Sequence, residues 1–287
     1  MRYALTLSYD GRGFCGWQVQ PREPSVQEAL QKALETLLGR PTPVTGAGRT
    51  DTDVNALGYV AHFDCEGPLP YESGDFLYKL NAILPAGIAV SALAPVADDF
   101  HARFDASRRT YLYFIHFHKD PFVMRYSWHC KFGLDVEKMN EACRYLLGTH
   151  DFSCFEKKGA DSKTALCTVF DAHWEWYEPT LQRMGKSADK PDTAGPVTSE
   201  SEGKRITSDC EGKRMGDDGA EGRYLCFRIS ANRFLRNMVR AIVGTMVEIG
   251  RGRMRPEDLP AILASKDRCR AGQSVPGNAL FLASVEY

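Results

Sequence analysis

The sequence predicts an α+β protein made of two successive mixed units. Three observations carry this prediction. The chain has 287 residues, more than one hydrophobic core usually holds, so length points to about two domains. The first hundred or so residues switch from strand to helix periodicity and back, ending on a strand. The second half begins on an aromatic-rich strand and repeats the mixture. We place the boundary between 1–104 and 105–287.

Each element has a local cause. From Arg2 to Asp10 the residues Tyr3, Leu5, Leu7 and Tyr9 fall on one side of an extended chain, the period-two pattern of a half-buried strand. Ser25 followed by Glu28 reads as a capping box. Val26, Ala29, Leu30, Ala33, Leu34, Leu37 and Leu38 then recur at helical spacing until Gly39 stops the run. A Gly/Thr-rich loop over 45–54 leads to a strand at 59–65, a helix at 73–84 ended by Pro85, and a strand at 88–95. In the second half we expect a strand at 109–117, a helix at 135–147 closed by Gly148, antiparallel strands at 164–177 and 222–230, a helix at 234–249 and a last strand at 279–287.

Between the two antiparallel strands the composition changes. Residues 178–222 are dominated by Gly, Ser, Thr and charged side chains, with no aromatic and only sparse bulky apolar residues. Such a stretch cannot offset its ordering entropy. It reads as an expanded, disordered hairpin loop.

Composition excludes several classes. With 43% hydrophobic and 25% charged residues, the chain is not collagen-like, disordered throughout or a disulfide scaffold. No apolar run reaches transmembrane length, and the N-terminus reads as a strand rather than a cleaved address. The nine cysteines are odd in number and scattered, as expected of free thiols in a reducing compartment; the cytoplasm is the expected location, with the nucleus or an organelle as the alternatives. A net charge of −1 leaves nucleic-acid binding to local patches, and two exist. Lys/Arg outnumber Asp/Glu by six to two over 101–131 and by ten to four over 225–270.

Chemistry has few candidate positions. His116 and His118 share a strand face but lack a third ligand at a recognised spacing, so no metal is expected. No G-x-S-x-G elbow is present. The loop Gly46-Ala47-Gly48-Arg49-Thr50-Asp51 sets an acid beside an arginine where small residues allow close backbone approach. Taken alone, Asp51 reads as either a turn cap or a reactive acid.

In combination these segments resemble a known family. Gly48-Arg49-Thr50-Asp51 with Val54, Ala56-Leu57 and Val60-Ala61-His62-Phe63 is similar to the signature of the tRNA pseudouridine synthase A family. Further blocks follow in the family's order: Leu80 to Pro85; Phe100 to Phe104 with Arg109, Tyr111 and Tyr113; Ala231-Asn232 through Arg236, Arg240 and Gly244; and Pro276 with Leu280, Leu282, Val285 and Tyr287. The resemblance spans the chain except for the polar insertion.

What the resemblance implies is specific. It implies ferredoxin-like or RRM-like halves flanking a central basic cleft, a homodimer, and conversion of uridine to pseudouridine in the anticodon stem-loop of tRNA, typically at nucleotides 38 to 40. It also implies that no cofactor is needed. Asp51 matches the catalytic aspartate, Arg49 the arginine that holds the displaced nucleotide, and Tyr111 the tyrosine that stacks on the target base. Arg240 matches the arginine paired with the carboxylate and Leu280 an apolar wall. Arg103, Arg233 and Arg236 are expected to reach RNA phosphates, giving salt-sensitive binding. Without the resemblance, Arg236 and Arg240 read equally as a charged helix face, and Tyr111 as core packing.

The chemistry fits these residue types. Moving the glycosidic bond from N1 to C5 calls for a carboxylate that can attack carbon, stabilise the detached sugar or move a proton. Extruding a stacked base costs a few kcal/mol, which an arginine in the gap and an aromatic face can offset. The chain departs from the family at Asp53 and Asn55, which stand where glycine and histidine are usual. Tyr59 replaces a usual glutamine, Ala279 a glycine and Phe281 a tyrosine. Aspartate is among the side chains best suited to a glycine position with positive φ. The competing expectation is a tRNA-binding protein of the same fold that has lost turnover through these changes.

Overall fold

The computed structural model describes residues 1–159, 164–180 and 224–287. The polar 178–222 segment, expected to be a disordered loop, lies outside the described residues from 181 onward. Strand β1, Arg2–Tyr9, buries Tyr3, Leu5, Leu7 and Tyr9, the alternation its sequence dictates. Helix α1, Val26–Leu38, begins where the Ser25 side chain accepts from the Glu28 N–H at 3.3 Å. It ends at Gly39, whose φ of 69° lets its N–H reach back to the Glu35 carbonyl. Only half of the expected capping box forms, because the Glu28 carboxylate pairs instead with Lys32 at 2.6 Å.

Strands β2 (Val44–Gly46) and β3 (Asn55–Asp64), helix α2 (Ser73–Ile83) and strand β4 (Ile88–Val96) complete the first part. The order is β4-β1-β3, with β2 on the far side of β3, all antiparallel. Leu30 and Leu34 of α1 and Phe76 and Leu80 of α2 are fully buried against Leu5, Leu7 and Phe63. Each such leucine contributes about 1.5–3 kcal/mol.

The second part begins with β5 (Arg108–His116) and the short β6 (Trp128–His129). Helix α3 (Val136–Cys143), strands β7 (Gly148–Asp151), β8 (Leu166–Tyr177) and β9 (Tyr224–Ala231), helices α4 (Met238–Gly250) and α5 (Leu259–Ser265) and strand β10 (Leu280–Glu286) follow. Strands β8 and β9 pair antiparallel from Tyr177 opposite Tyr224 to Val169 opposite Ala231, as their flanking aromatics predicted. Their sheet order is β10-β5-β9-β8-β7. Strand β10 also pairs parallel with β3, through Phe281 opposite Asn55 and Leu282 opposite Ala56. The last strand of the chain therefore joins both parts into one continuous mixed sheet.

Two expected helices are shorter than their apolar patterns. The predicted 135–147 helix leaves the α conformation after Cys143 and finishes as a 3-10 turn, Arg144–Leu146. The predicted 234–249 helix starts only at Met238, because Asn237 takes φ 68° in the left-handed region and breaks the helical path. Residues 232–237 are thus a loop, and Arg236 stands before the helix rather than on it. The loop Ala271 to Val275 crosses α4 at Gly244, where an added Cβ would strike the Gln273 carbonyl.

Candidate active site

The loop from Gly46 to Val54 lies on an aromatic platform. Trp17 and Tyr59 stack with centroids 4.1 Å apart, and Tyr9 tilts against Tyr59 at 5.6 Å. The Tyr59 hydroxyl accepts from the Gly48 N–H at 3.3 Å and donates to the Gly48 carbonyl. Tyr9 and Thr50 share a hydroxyl bond of 2.9 Å, and the Trp17 N–H donates to the Thr50 carbonyl at 3.3 Å. Gly46 is small because a Cβ there would come within 2.6 Å of the Trp17 ring. Gly48 and Thr50 are thereby both held before Asp51 is reached.

Beyond Asp51 the backbone turns, with the Val54 N–H returning to the Asp51 carbonyl at 3.2 Å. Asp53 takes φ 64°, the positive value that explains the family's usual glycine and that aspartate tolerates. Asn55 is 1% exposed. Its Oδ1 accepts from the Gly11 N–H at 2.9 Å, while its Nδ2 donates to the carbonyls of Asn278 at 2.8 Å and Leu280 at 3.4 Å. Both departures from the family pattern are accommodated locally.

The Asp51 side chain is 25% exposed and faces two arginines. Arg240 Nη1 lies 3.6 Å from Oδ2, and Arg236 Nε lies 3.8 Å from Oδ1. Arg240 is aimed by a second bond, from its Nε to the Val275 carbonyl at 2.7 Å. The expected Asp51–Arg240 pair is present. Arg236, expected at RNA phosphates, also stands beside the carboxylate.

Tyr111 sits on β5 between Leu282 of β10 and Ile229 of β9. Its ring meets Phe234 edge-on, with centroids 5.0 Å apart. Burial pushes its hydroxyl up to about 12, opposed by Arg109 and reinforced by Asp51, so it is a neutral phenol at neutral pH. Tyr113 on the same strand is fully buried and donates to the Pro276 carbonyl at 3.1 Å. Leu280 is buried at the start of β10, opposite Tyr113.

The remaining predicted residues are less engaged. Arg49 is exposed and makes no hydrogen bond or ion pair to the described residues. Arg103 is exposed, with its guanidinium 5.5 Å from the Phe104 ring centre. Arg233 is half-buried in the loop before α4. Beside the Asp51 turn an open cavity of about 630 Å³ is lined by Arg12, Asp53, Pro121, Met124, Arg125 and Asn278. Among the described residues no three His, Cys, Asp or Glu side chains are grouped as metal ligands.

Sequence reasoning gave Arg109 no role. It is 9% exposed, and all five of its N–H groups are used. Nε and Nη2 donate to the Ala47 carbonyl at 3.3 and 3.0 Å, Nη1 to Ala106 at 3.2 Å and Asn232 at 2.6 Å, and Nη2 also to Arg103 at 2.5 Å. The signal available in the sequence was its register: Arg109, Tyr111 and Tyr113 alternate on one strand face, and a charge on a core-facing register needs partners.

A part-buried carboxylate held between arginines beside an aromatic ring suits a polar, anionic substrate. A family model described as tRNA pseudouridine synthase matches residues 142–287. The protein named tRNA pseudouridine synthase A from Parabacteroides distasonis is 40% identical, covering 100% of this chain and 96% of that one. Its namesake from Bacteroides fragilis is 42% identical with the same coverage, and that from Bacillus velezensis is 38% identical over 100% of this chain and 99% of its own. The chain belongs to the tRNA pseudouridine synthase A family.

Proposed function

We propose that the protein isomerises uridine to pseudouridine in tRNA, with Asp51 as the catalytic group. The observation that carries this reading is the Asp51 carboxylate held between Arg240 at 3.6 Å and Arg236 at 3.8 Å, in a chain similar over its full length to proteins named for that reaction.

The residues divide the work. The C1′–N1 bond breaks, the uracil turns and C1′–C5 forms; C5 gives up its proton and N1 ends protonated, so the atoms of the nucleotide balance. Asp51, a carboxylate, supplies the negative charge at the sugar and the base for the proton. Arg240 and Arg236 orient it and offset its charge. Tyr111 offers its ring to the extruded base, and Leu280 closes the pocket. Arg49, exposed and with no bond to the described residues, is available to fill the gap the base leaves in the stem. A catalytically impaired binding protein is the weaker reading, because Asp53 and Asn55 leave the loop's turn and ties intact.

The substrate position is the anticodon stem-loop, and the working state is a cytoplasmic homodimer. We read 1–104 and 105–287 as two related ferredoxin-like halves flanking a basic cleft. Support comes from the shared strand order, β4-β1-β3-β2 in one and β10-β5-β9-β8 in the other, and from the arginines at 233, 236 and 240. Eight described cysteines are free thiols, in keeping with a reducing compartment. The test is tritium release from tRNA transcripts carrying 5-tritiated uridine, incubated with the protein alone. Release is expected without any added cofactor; tRNA binding with no release would support the impaired binder.

A further inference from the structure

A buried guanidinium bonded only to carbonyls is an expensive feature. Burial costs a charge several kcal/mol unless it is paired, and Arg109 has no carboxylate partner among its bonds. Its pKa is held below the ordinary arginine range, chiefly by that burial. The fold nevertheless keeps it, and its acceptors show what it holds together. Ala47 lies in the loop that ends at Asp51, immediately after β2. Asn232 opens the loop that carries Arg233 and Arg236 into α4, and its own Oδ1 accepts from the Thr168 N–H at 2.9 Å. Arg103 and Ala106 belong to the segment entering β5, where the Ser107 N–H is bonded to the Glu286 carbonyl at 2.8 Å. One planar fork thus joins three chain segments that share no continuous strand.

We propose that Arg109 is a positioning residue for the reaction, its guanidinium fixing the loop of Asp51 relative to the loop of Arg236 so that the carboxylate and its arginines meet at working distance. The inference rests on the reading of Asp51 as the catalytic group. It concerns geometry rather than charge alone. Lysine keeps the charge but offers three donors on a single nitrogen and cannot span four carbonyls. Arg109 itself is enclosed by protein, so loss of this tie acts on turnover and leaves tRNA affinity to the exposed arginines.

The experiment measures steady-state kinetics on unmodified tRNA for Arg109→Lys and Arg109→Ala, with Asp51→Ala alongside and near-ultraviolet circular dichroism as the check on folding. For the folded variants kcat should fall on the order of 100-fold, as expected for misplacement of about 1 Å, while KM stays within about twofold. Methylguanidinium added to Arg109→Ala should restore part of kcat with saturation behaviour and do nothing for Asp51→Ala. The proposal is overturned if folded Arg109→Lys turns over at the wild-type rate, if the loss appears in KM instead, or if neither variant folds, which would make Arg109 a folding residue. Turnover retained by Asp51→Ala would instead remove the reading beneath it.

Discussion

The Tyr59 hydroxyl bonds both the N–H and the carbonyl of Gly48, so one side chain closes both backbone polar groups of a residue three positions before Asp51. Tyr59→Phe keeps the stacked ring on Trp17 and removes only that oxygen. The two groups of Gly48 then lose their partner, a cost of about 1–3 kcal/mol. Urea denaturation should show a loss of that size with an unchanged slope, and kcat should fall more than KM rises. An unaltered midpoint would mean that water replaces the hydroxyl at no cost.

The two arginines on Asp51 differ in burial, which predicts unequal roles. Arg240 is 23% exposed and doubly held, whereas Arg236 is 54% exposed. Exposed pairs contribute about 0–1 kcal/mol to stability. Arg236→Ala should therefore leave thermal stability nearly unchanged, whereas Arg240→Ala should lower it measurably and reduce kcat by the larger factor. Paired melting curves and kinetics on the two variants check this; the reverse ranking would assign the orienting role to Arg236.

Arg49 makes no bond to the described residues, so its removal should act on substrate alone. Arg49→Ala should shift unfolding free energy by no more than about 0.5 kcal/mol while lowering kcat/KM for intact tRNA. A free uridine-containing single strand, which needs no base extrusion, should show a smaller loss. Equal losses on both substrates would contradict a role in filling the stack.

Acid should weaken the fold through His62. Burial, then Arg2 and His101, lower its pKa against weaker opposition from Asp64 and Asp105, and the Ala102 N–H donates to its Nδ1 at 3.1 Å. The unfolded chain takes up this proton first. The stabilisation is present above the ordinary histidine value of about 6.5 and is lost as pH falls from there through the depressed folded value. His62→Gln retains an acceptor for Ala102 without titrating, so its stability should fall less steeply below about pH 6.5. Parallel pH profiles would show that other groups govern the acid limb.

Local rules explain how far the sequence could be read. The inward row of β1 and the Ser25 and Gly39 ends of α1 depend on neighbours in the chain, and these elements stand where their patterns put them. Elements set by distant contacts were hidden. Nothing in the apolar run from Phe234 signals that Asn237 would turn left-handed and delay α4 to Met238. Nothing in Leu280 to Glu286 signals a parallel partner in β3, more than two hundred residues earlier. The site divides in the same way. Asp51 and Arg240 were found by motif, while the second arginine at Asp51 and the carbonyl cage around Arg109 depend on how loops meet in space.

The central claim is that Asp51 performs pseudouridine formation in tRNA. The most direct measurement maps pseudouridine in unmodified tRNA transcripts after incubation with the protein and with Asp51→Ala, without added cofactor. The account predicts new pseudouridine in the anticodon arm with the native protein, none with Asp51→Ala, and comparable salt-sensitive tRNA binding by both. Pseudouridine formed by Asp51→Ala, or by neither protein despite binding, would contradict it.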